Sequence, residues 1–496
     1  MSARPRLRAL AVAAATITLL PALSAAAAPH ADEPPSTPVP ISTPDGLLMS
    51  YVLNTHKPSF DQVRDVRRAV VRAGGTVVQA WPQIGVVVAH SDVAAFREDV
   101  AYLAGKSLES VGATRSVAVS EGSPGEAGAG ARSAGADKAA GDVGTERTYA
   151  VVEDPRESEQ WDMRMIKADR AHRVTDGSRE VVVGVLDSGI DADHPDLAAN
   201  IAVNQSVNCT DAGRPDRSAT GWQPTTSDHG THVAGTIAAD RNGVGIVGVA
   251  PNVRMASVKV VNDDGFIYPE YAVCGFVWAG LRGMDVTNNS YYVDPFQFWC
   301  DDQADQHAAK EAVRRAVEWS TEQGVVHAAA AGNAAYDLSD KTTDTISPND
   351  GEAVDRTINS GCHDIPTELD GVVTVASMEQ FPADSGESRL SGFSNRGLGS
   401  IDVAAPGSRI LSTIVTDNGY GLKSGTSMAS PHAAGVLALM KSAHPKWKPA
   451  KLIRELRRQA DDKACGETTA GAPCVGPVRE NSYFGDGVVD ALDAVR

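Results

Sequence analysis

Two stretches of the chain carry regular patterns of hydrophobic and polar positions. In residues 46–120 the pattern switches between alternation, typical of a half-buried strand, and a spacing of three to four residues, typical of an amphipathic helix. The predicted order is strand, helix, strand, strand, helix, strand. This order is that of a small ferredoxin-like α+β domain, which we expect over these residues.

The second stretch, residues 149–496, alternates strands with helices. The β-branched run VVVGVLD predicts a strand that is buried on both faces of a parallel sheet. We predict further strands in MASVKVV, VVHAAAAGN and GVVTVAS, and helices in HVAGTIAAD, AAKEAVRRAVEWSTEQG and SMASPHAAGVLALMKSA. The expected fold is one α/β domain with a mainly parallel sheet flanked by helices, whose sites lie at the carboxyl ends of the strands.

The remaining segments predict export and processing. Residues 1–28 combine a basic start, an apolar stretch and small residues near a cleavage position, which is typical of a secretory signal peptide. No later apolar run reaches the length of a membrane span, so we expect a secreted, extracellular protein with no membrane anchor. Residues 29–45, rich in Pro, Ser and Thr, predict a partly disordered segment. Residues 121–148, rich in Gly, Ala and acidic residues, predict a flexible linker that is open to proteolysis.

Charge and cysteine content narrow the class of protein. The net charge of −18 argues against a nucleic-acid partner. As a separate expectation, the protein is a monomer. The six cysteines include no C-x-x-C pair, which argues against a zinc cluster. An even number in an exported chain favours three disulfides. Cys465 and Cys474 bracket a short loop and are predicted to pair, while the other four cysteines allow three connectivities.

Three polar residues lie where an α/β domain places its chemistry. Asp187 ends the predicted buried strand, His229 precedes a helix, and Ser427 stands at the start of another helix. Pro431 is then expected within the first helical turn, where a missing N–H is tolerated. Each residue alone is compatible with a cap, a turn or a structural role. Their order along the chain, however, is that of one known Asp-His-Ser triad.

The segments around these residues carry a family resemblance. DSGID with HPDL, HGTHVAG, AAGN and SGTSMASPHAAG resemble the signature blocks of the subtilisin family of serine proteases, over most of residues 180–440. The resemblance implies a subtilisin-like fold and a serine endopeptidase in which Ser427 attacks the peptide and His229 is general base and acid. Asp187 would orient His229, and the side chain of Asn333 would stabilise the oxyanion. Residues 46–120 resemble the inhibitory propeptide of the family in pattern, which implies an autoprocessed zymogen inhibited by its own propeptide.

The resemblance also implies a groove for polypeptide substrates. Two backbone segments would pair with an extended peptide, and their candidate residues are Ser290, Tyr291, Tyr292, Ala329, Ala330, Ala331 and Gly332. The family commonly has Ser-Leu-Gly where this chain has Ser-Tyr-Tyr. The additional ring either reshapes the primary pocket or points to solvent. Specificity therefore stays open between a broad endopeptidase and a narrow processing peptidase. A catalytically silent binding protein would lack a member of the catalytic set, and none is missing.

No cofactor is expected for catalysis, but the resemblance implies a structural calcium ion. Its ligands would be the side chains of Asp196 and Asn242, together with the main-chain carbonyls of Asp240, Val244 and Ile246. Asp154 could add a further oxygen. Calcium accepts such mixed oxygen ligands. The alternative is an Asn-Gly turn that binds no ion.

Overall fold

The computed structural model describes residues 33–120, 153–383, 385–466 and 472–496. The predicted signal peptide and the predicted linker lie outside the described residues. None of the helices in the described ranges combines the length and the apolar character needed to cross a membrane.

An antiparallel sheet and two helices form the N-terminal part of the described chain. The elements are β1 (Met49–Thr55), α1 (Phe60–Arg72), β2 (Thr76–Trp81), β3 (Val86–Ser91), α2 (Phe96–Ala104) and β4 (Leu108–Ala113). Their order along the chain is the order that the hydrophobic pattern predicts. The strands lie in the order β2-β3-β1-β4, and every neighbouring pair is antiparallel.

The segment before β1 differs from its prediction. Ser36 is 1% exposed and Ile41 3% exposed, and the backbone N–H and hydroxyl of Ser36 each donate to Asp302 at 2.7 Å. The expectation of disorder is therefore wrong for this part of residues 29–45. The Pro, Ser and Thr content cannot show that polar groups elsewhere in the chain bind the segment, because composition reports only local tendencies.

The larger part of the chain is built around one mixed sheet. Its elements are α3 (Trp161–Met165), α4 (Ala168–Ala171), β5 (Val182–Asp187), β6 (Val207–Asp211), β7 (Arg214–Asp216), α5 (His229–Ala238), β8 (Arg254–Lys259), α6 (Pro269–Arg282), β9 (Val286–Asn289), β10 (Trp299–Cys300), α7 (Ala304–Glu322), β11 (Val326–Ala330), β12 (Thr343–Asp344), β13 (Arg356–Thr357), β14 (Cys362–His363), β15 (Val372–Gln380), β16 (Ser388–Leu390), β17 (Val403–Pro406), β18 (Ile410–Thr413), β19 (Tyr420–Lys423), α8 (Thr426–Ala443) and α9 (Pro449–Gln459). The sheet runs β16-β15-β11-β9-β5-β8-β6-β7, with β17 beside β15.

This sheet has helices on both faces. Its central pairs, from β15 through β11, β9 and β5 to β8, are parallel, and antiparallel pairs occur only where β16 and β7 join it. Side chains of β5 alternate between two hydrophobic cores, one shared with α5 and α8 and the other with α6 and α7. The burial of both faces explains the unbroken β-branched run of β5. The fold is therefore α/β, as the alternation of elements predicts.

All six cysteines form disulfides. Cys465 pairs with Cys474, as the short loop between them predicts. Cys209 pairs with Cys274, which links β6 to α6, and Cys300 pairs with Cys362, which links β10 to β14. The tertiary structure thus selects one of the three connectivities that the sequence left open.

Candidate active site

A carboxylate and an imidazole meet at the end of β5. Nδ1 of His229, the first residue of α5, lies 2.8 Å from Oδ1 and 3.0 Å from Oδ2 of Asp187. Asp187 is buried, whereas 30% of the His229 side chain is exposed. Because Nδ1–H donates to the carboxylate, Nε2 of His229 is left as the nitrogen that can accept a proton. The next residue, Gly230, packs closely here, since a Cβ at this position would lie 2.4 Å from the carbonyl oxygen of Gly189.

The environment tunes this imidazole as a base. Burial alone would lower the pKa of His229, but the charge of Asp187 and its hydrogen bond outweigh burial and raise that pKa above the ordinary value of 6.5. The positive charge of Lys423 opposes them to a smaller extent. The pair can therefore accept a proton and stabilise the resulting imidazolium.

Ser427 is the second residue of α8 and is half-buried. The helix begins at Thr426, so Pro431 is its sixth residue and lies beyond the first turn. The expectation that Pro431 falls in the first turn is therefore wrong. Because proline has no N–H, the carbonyl of Ser427 loses its partner four residues on. The hydroxyl of Ser290 replaces that partner by donating to Ser427 O at 2.8 Å.

The Ser427 hydroxyl lies at the same sheet edge as Asp187. Its Oγ donates to the carbonyl oxygen of Ser290 at 3.2 Å. Ser290 follows Asn289, the register partner of Leu186, so it stands across from Asp187 on the neighbouring strand. Adjacent strands are about 4.8 Å apart. Within the described residues Ser427 Oγ makes its hydrogen bond to Ser290 O and none to His229.

Asn333 follows β11 and stands beside the start of α8. Its Oδ1 accepts hydrogen bonds from the backbone N–H of Thr426 at 2.8 Å and from the Thr426 hydroxyl at 2.9 Å. Nδ2 is left as a donor on an exposed residue, with no partner among the described residues. The Ser427 N–H lies in the first turn of α8, where N–H groups have no intrahelical acceptor. Both groups are thus available to an oxyanion.

A cavity of about 410 Å³ opens beside these groups. Five of the residues predicted to bind substrate line it, namely Ser290, Tyr291, Tyr292, Ala330 and Gly332. The prediction is wrong for Ala329, which lies inside β11 and pairs in register with both Asn289 and Thr374. Ala331 is also buried, with its N–H bonded to Val375. Both residues are occupied by the sheet and its flanking segments, and so do not line the cavity.

The sequence left open whether the ring of Tyr292 reshapes the pocket or points to solvent. Its side chain lines the cavity, and its hydroxyl accepts a hydrogen bond from Asn349 Nδ2 at 2.9 Å. Tyr291 also lines the cavity, and its hydroxyl donates to Asn289 Oδ1 at 3.2 Å. Both rings are therefore part of the pocket wall.

Two buried carboxyl groups in the cavity were missed by sequence reasoning. Asp294 and Asp364 line the same cavity and are 4% and 2% exposed. Asp294 comes just after the Ser-Tyr-Tyr segment, so its proximity could have been noticed. Asp364 is separated from Asn333 by a long segment that carries no recognisable periodic pattern.

Comparison with known proteins identifies the family. The sequence profile of the subtilase family (Peptidase_S8) matches residues 178–487, which is more than half of the chain. The chain belongs to the subtilase family of serine peptidases. This subtilase is 32% identical to subtilisin DY of Bacillus licheniformis over 336 residues, covering 67% of the chain and 97% of that protein.

Other relatives share shorter parts of their length. Subtilisin E of Bacillus subtilis is 32% identical over 304 residues, which cover 61% of this subtilase and 66% of subtilisin E. Fervidolysin of Fervidobacterium pennivorans is 28% identical over 328 residues, which cover 62% of this chain but only 41% of fervidolysin.

Two solved structures share the fold. The crystal structure of fervidolysin, described as a keratinolytic enzyme related to subtilisin, superposes with a TM-score of 0.63 at 23% identity, covering 91% of this chain and 61% of fervidolysin. The epidermin leader peptide processing serine protease of Staphylococcus aureus gives a TM-score of 0.64 at 21% identity, covering 91% of this chain and 98% of that protein. At these identities the likeness shows the fold alone.

Among the predicted calcium ligands of this subtilase, Asp196 lies next to Asn242 of the loop that follows α5, and Asp154 contacts the same loop. Asp196 Oδ2 accepts from the N–H of Ile246 at 3.1 Å, and Asn242 Nδ2 lies 3.3 Å from Asp196 Oδ1. Asp154 accepts from the N–H groups of Gly243 at 2.7 Å and Asn242 at 3.3 Å. Burial raises the pKa of both carboxyl groups. Neither forms a salt bridge with a basic side chain in the described ranges.

Proposed function

We propose that this subtilase is exported as the precursor of a serine endopeptidase, in which Ser427 forms the acyl-enzyme. The observation that carries the proposal is the His229–Asp187 pair at the sheet edge where the Ser427 hydroxyl meets Ser290 O. A hydroxyl, an imidazole and a carboxylate in this order are the requirements of nucleophilic acyl transfer.

The reaction follows from the roles of these groups. The Ser427 hydroxyl turns from Ser290 O to His229 Nε2, which removes its proton as Oγ attacks the peptide carbonyl. The negative oxygen that forms receives hydrogen bonds from the Ser427 N–H and from Asn333 Nδ2. His229 then delivers the proton to the leaving amine, and the C–N bond breaks. A water molecule, deprotonated by His229, hydrolyses the acyl-enzyme and regenerates the Ser427 hydroxyl.

A Ser427→Ala variant tests this proposal. We expect the secreted wild-type protein to be shortened by about the first 120–150 residues and to be labelled by a fluorophosphonate, because both events need a nucleophilic serine. Ser427→Ala should lose only its signal peptide and take up no label. Ser424→Ala, which removes an exposed hydroxyl bonded to Arg409 N, is the matched control and should behave as wild type. Labelling of Ser427→Ala, or an unlabelled wild type, would refute the proposal.

We further propose that residues 46–120 act as an intramolecular inhibitor. Their sheet lies against α7, where Asn54 Nδ2 donates to Ala308 O at 2.8 Å and Ala113 N donates to Asp305 Oδ1 at 2.9 Å. Arg97 forms a salt bridge of 2.5 Å with Asp305. A Cβ at Gly112 would lie 2.6 Å from Asp305 O, so the two surfaces approach closely.

The end of this domain approaches the cavity. After β4, Arg115 is buried against the ring of Tyr268, with its guanidinium 3.8 Å from the ring centroid. The N–H of the next residue, Ser116, donates to Asp350 at 2.9 Å. Asp350 follows Asn349, which lines the cavity. A chain that leaves the domain here stands next to the substrate pocket, which supports an inhibitory role.

A calcium ion fits the loop after α5, and we propose this loop as its site. Asp154 and Asp196 offer carboxylates that accept hydrogen bonds but form no salt bridge in the described residues, and carboxylates are ligands that calcium prefers. Asn242 would turn its amide, since Nδ2 rather than Oδ1 now faces Asp196. Carbonyls of Asp240, Val244 and Ile246 would complete the set. Bound calcium supplies a positive charge that offsets these carboxylates.

Thermal unfolding of the Ser427→Ala precursor tests the site without autolysis. Calcium at 100 times its Kd should stabilise the folded state by about 2.7 kcal/mol relative to chelator. Asp196→Asn should lose most of this shift, whereas Asp193→Asn, an exposed carboxylate nearby in sequence, should keep it. Equal melting temperatures with calcium and with chelator would exclude the site.

A further inference from the structure

Residues of very different exposure line the substrate cavity. Ser427 and Asn333 are half-buried and exposed, whereas Asp294 and Asp364 are almost fully buried. A Cβ placed on Gly332 would lie 3.7 Å from Asp364 Oδ2, so this carboxyl group sits beside the segment that carries Asn333. The cavity thus joins the catalytic groups to two carboxyl groups.

The two carboxyl groups differ in their hydrogen bonds. Asp294 uses both oxygens, accepting from Ile267 N at 2.6 Å and from Asn349 Nδ2 at 2.6 Å. Asp364 accepts only one bond, from Gln297 Nε2 to Oδ2. Its Oδ1 is buried and has no partner in the described part of the chain. A buried carboxyl oxygen without a donor is costly, so Asp364 is the group that lacks a ligand.

The neighbouring basic side chains do not supply a salt-bridge partner for Asp364. Lys341 forms a salt bridge of 2.6 Å with Glu368, and Arg356 forms one of 2.6 Å with Asp344. In the described ranges no lysine or arginine forms a salt bridge with Asp364. The complementary charge for Asp364 is therefore expected from outside the enzyme.

The wall of the cavity favours the same type of ligand. Tyr292 lines the cavity and anchors its hydroxyl on Asn349, which also binds Asp294. An aromatic ring next to carboxylates attracts a guanidinium or an ammonium group through its π face. An uncharged apolar side chain would leave Asp364 Oδ1 without a donor.

We propose that the cavity is the primary specificity pocket and that Asp364 selects an arginine or lysine on the N-terminal side of the cleaved bond. The inference rests on the proposed function of Ser427 and deepens it by naming the substrate class. Tyr292 forms the wall against which the cationic side chain lies. The enzyme is then a narrow-specificity peptidase that cleaves after basic residues.

The protonation behaviour of the pocket is consistent with this role. Burial, with the nearby charge of Glu368, raises the pKa of Asp364 well above its ordinary range, while Lys341 opposes the shift. Burial raises the pKa of Asp294 to about 7. A bound guanidinium or ammonium group favours the ionised form and lowers both pKa values.

The test compares peptides that differ only at the residue before the cleaved bond: arginine, lysine, citrulline or leucine. Citrulline has the shape of arginine without its charge. We expect wild-type kcat/KM for arginine to exceed that for citrulline by on the order of 10²-fold or more, because the neutral urea of citrulline leaves the buried carboxylate of Asp364 without a counter-charge. Asp364→Asn should reduce the ratio to within about 10-fold, and Asp364→Glu should restore part of it.

Two controls separate the possible failures. Asp370→Asn removes an exposed carboxylate from the same segment and should keep the wild-type ratio. Titration with a fluorophosphonate counts the competent enzyme in each preparation, so poor folding of a variant is not mistaken for lost specificity. If the wild type labels on Ser427 but cleaves citrulline or leucine peptides as well as arginine peptides, this inference fails alone. If it does not label, the proposed function fails.

Discussion

His229 shows how a single residue sets the conditions under which the site works. Burial favours its neutral form, yet Asp187, 2.8 Å away, supplies a negative charge and an acceptor that raise its pKa above 6.5. Only the neutral imidazole can take a proton from Ser427. Activity should therefore fall as the pH drops through this raised pKa, and the acidic limb of the pH profile should lie above that of an ordinary histidine.

Asp187→Asn should change both the rate and the pH profile. Loss of the negative charge lowers the pKa of His229, so the acidic limb of kcat/KM should move to lower pH. The wrong tautomer of the imidazole should lower kcat by about 10⁴-fold. Asp228→Asn is the control, because Asp228 is a minor cause of the raised pKa and pairs with Lys423 at 2.8 Å. If the acidic limb of kcat/KM does not shift in Asp187→Asn, then Asp187 does not raise the pKa of His229.

At the scale of elements, the periodicity of side chains predicts the type of an element better than it predicts where the element begins or ends. The strands and helices that alternation and helical spacing predict occur in the structure, although others, such as α6 and α9, were not predicted. Their boundaries depend on contacts: α8 starts before Ser427, which moves Pro431 beyond the first turn. In α1 the side chain of Val71 is 65% exposed, while those of Val63, Val66 and Val70 are buried. Burial depends on what lies opposite the helix.

The link between Ser290 and α8 gives a test at this scale. Ser290→Ala leaves the carbonyl of Ser427 without a donor and should cost about 1–3 kcal/mol of unfolding free energy. Pro431→Ala restores a backbone N–H that can bond to that carbonyl. In the double variant the cost of Ser290→Ala should therefore shrink, a non-additivity that urea unfolding of the Ser427→Ala precursor can measure. Strictly additive effects would show that the two groups do not share the carbonyl.

At the scale of the whole molecule, the N-terminal sheet and the catalytic sheet share one hydrophobic core. Side chains of β1, β3 and α1 belong to the same cluster as those of α6 and α7. A buried salt bridge joins the two parts, because Arg115 Nη2 binds Glu270 Oε1 with both side chains at most 2% exposed. Ser50 Oγ donates to the same oxygen at 2.9 Å.

Arg115→Met should destabilise the precursor. It leaves Glu270 buried without its counter-charge, at a cost of about 3–5 kcal/mol. Denaturant unfolding in the Ser427→Ala background measures the change while both parts remain in one chain. Arg64→Met is the control: its partner Asp61 is exposed, and such pairs contribute at most about 1 kcal/mol. Similar losses for both variants would show that the buried pair does not stabilise the association.

Maturation offers a second test at this scale. If Ser427 cuts its own precursor with a preference for basic residues, the mature N-terminus should follow one of the basic residues of residues 121–148, which are Arg132, Lys138 and Arg147. Intact mass and N-terminal sequencing of the secreted protein identify the cut. A cut made by Ser427 after a residue that is not basic would contradict the preference.

Much of this protein could be predicted from the sequence alone. Strand and helix types follow from periodicity, because each element must bury one face or both. The candidate residues Asp187, His229, Ser427 and Asn333 lie in short motifs that resemble the signature blocks of the subtilisin family. The pairing of Cys465 with Cys474 follows from a short loop.

The tertiary structure alone decided the rest. It brought Asp364 into the cavity from a distant irregular segment, placed Ser290 against Ser427, buried Ser36 and Ile41 and selected the pairing of four cysteines. The physical reason is the same in each case. Local patterns report how a segment meets water, whereas a contact between distant segments depends on how the complete chain packs.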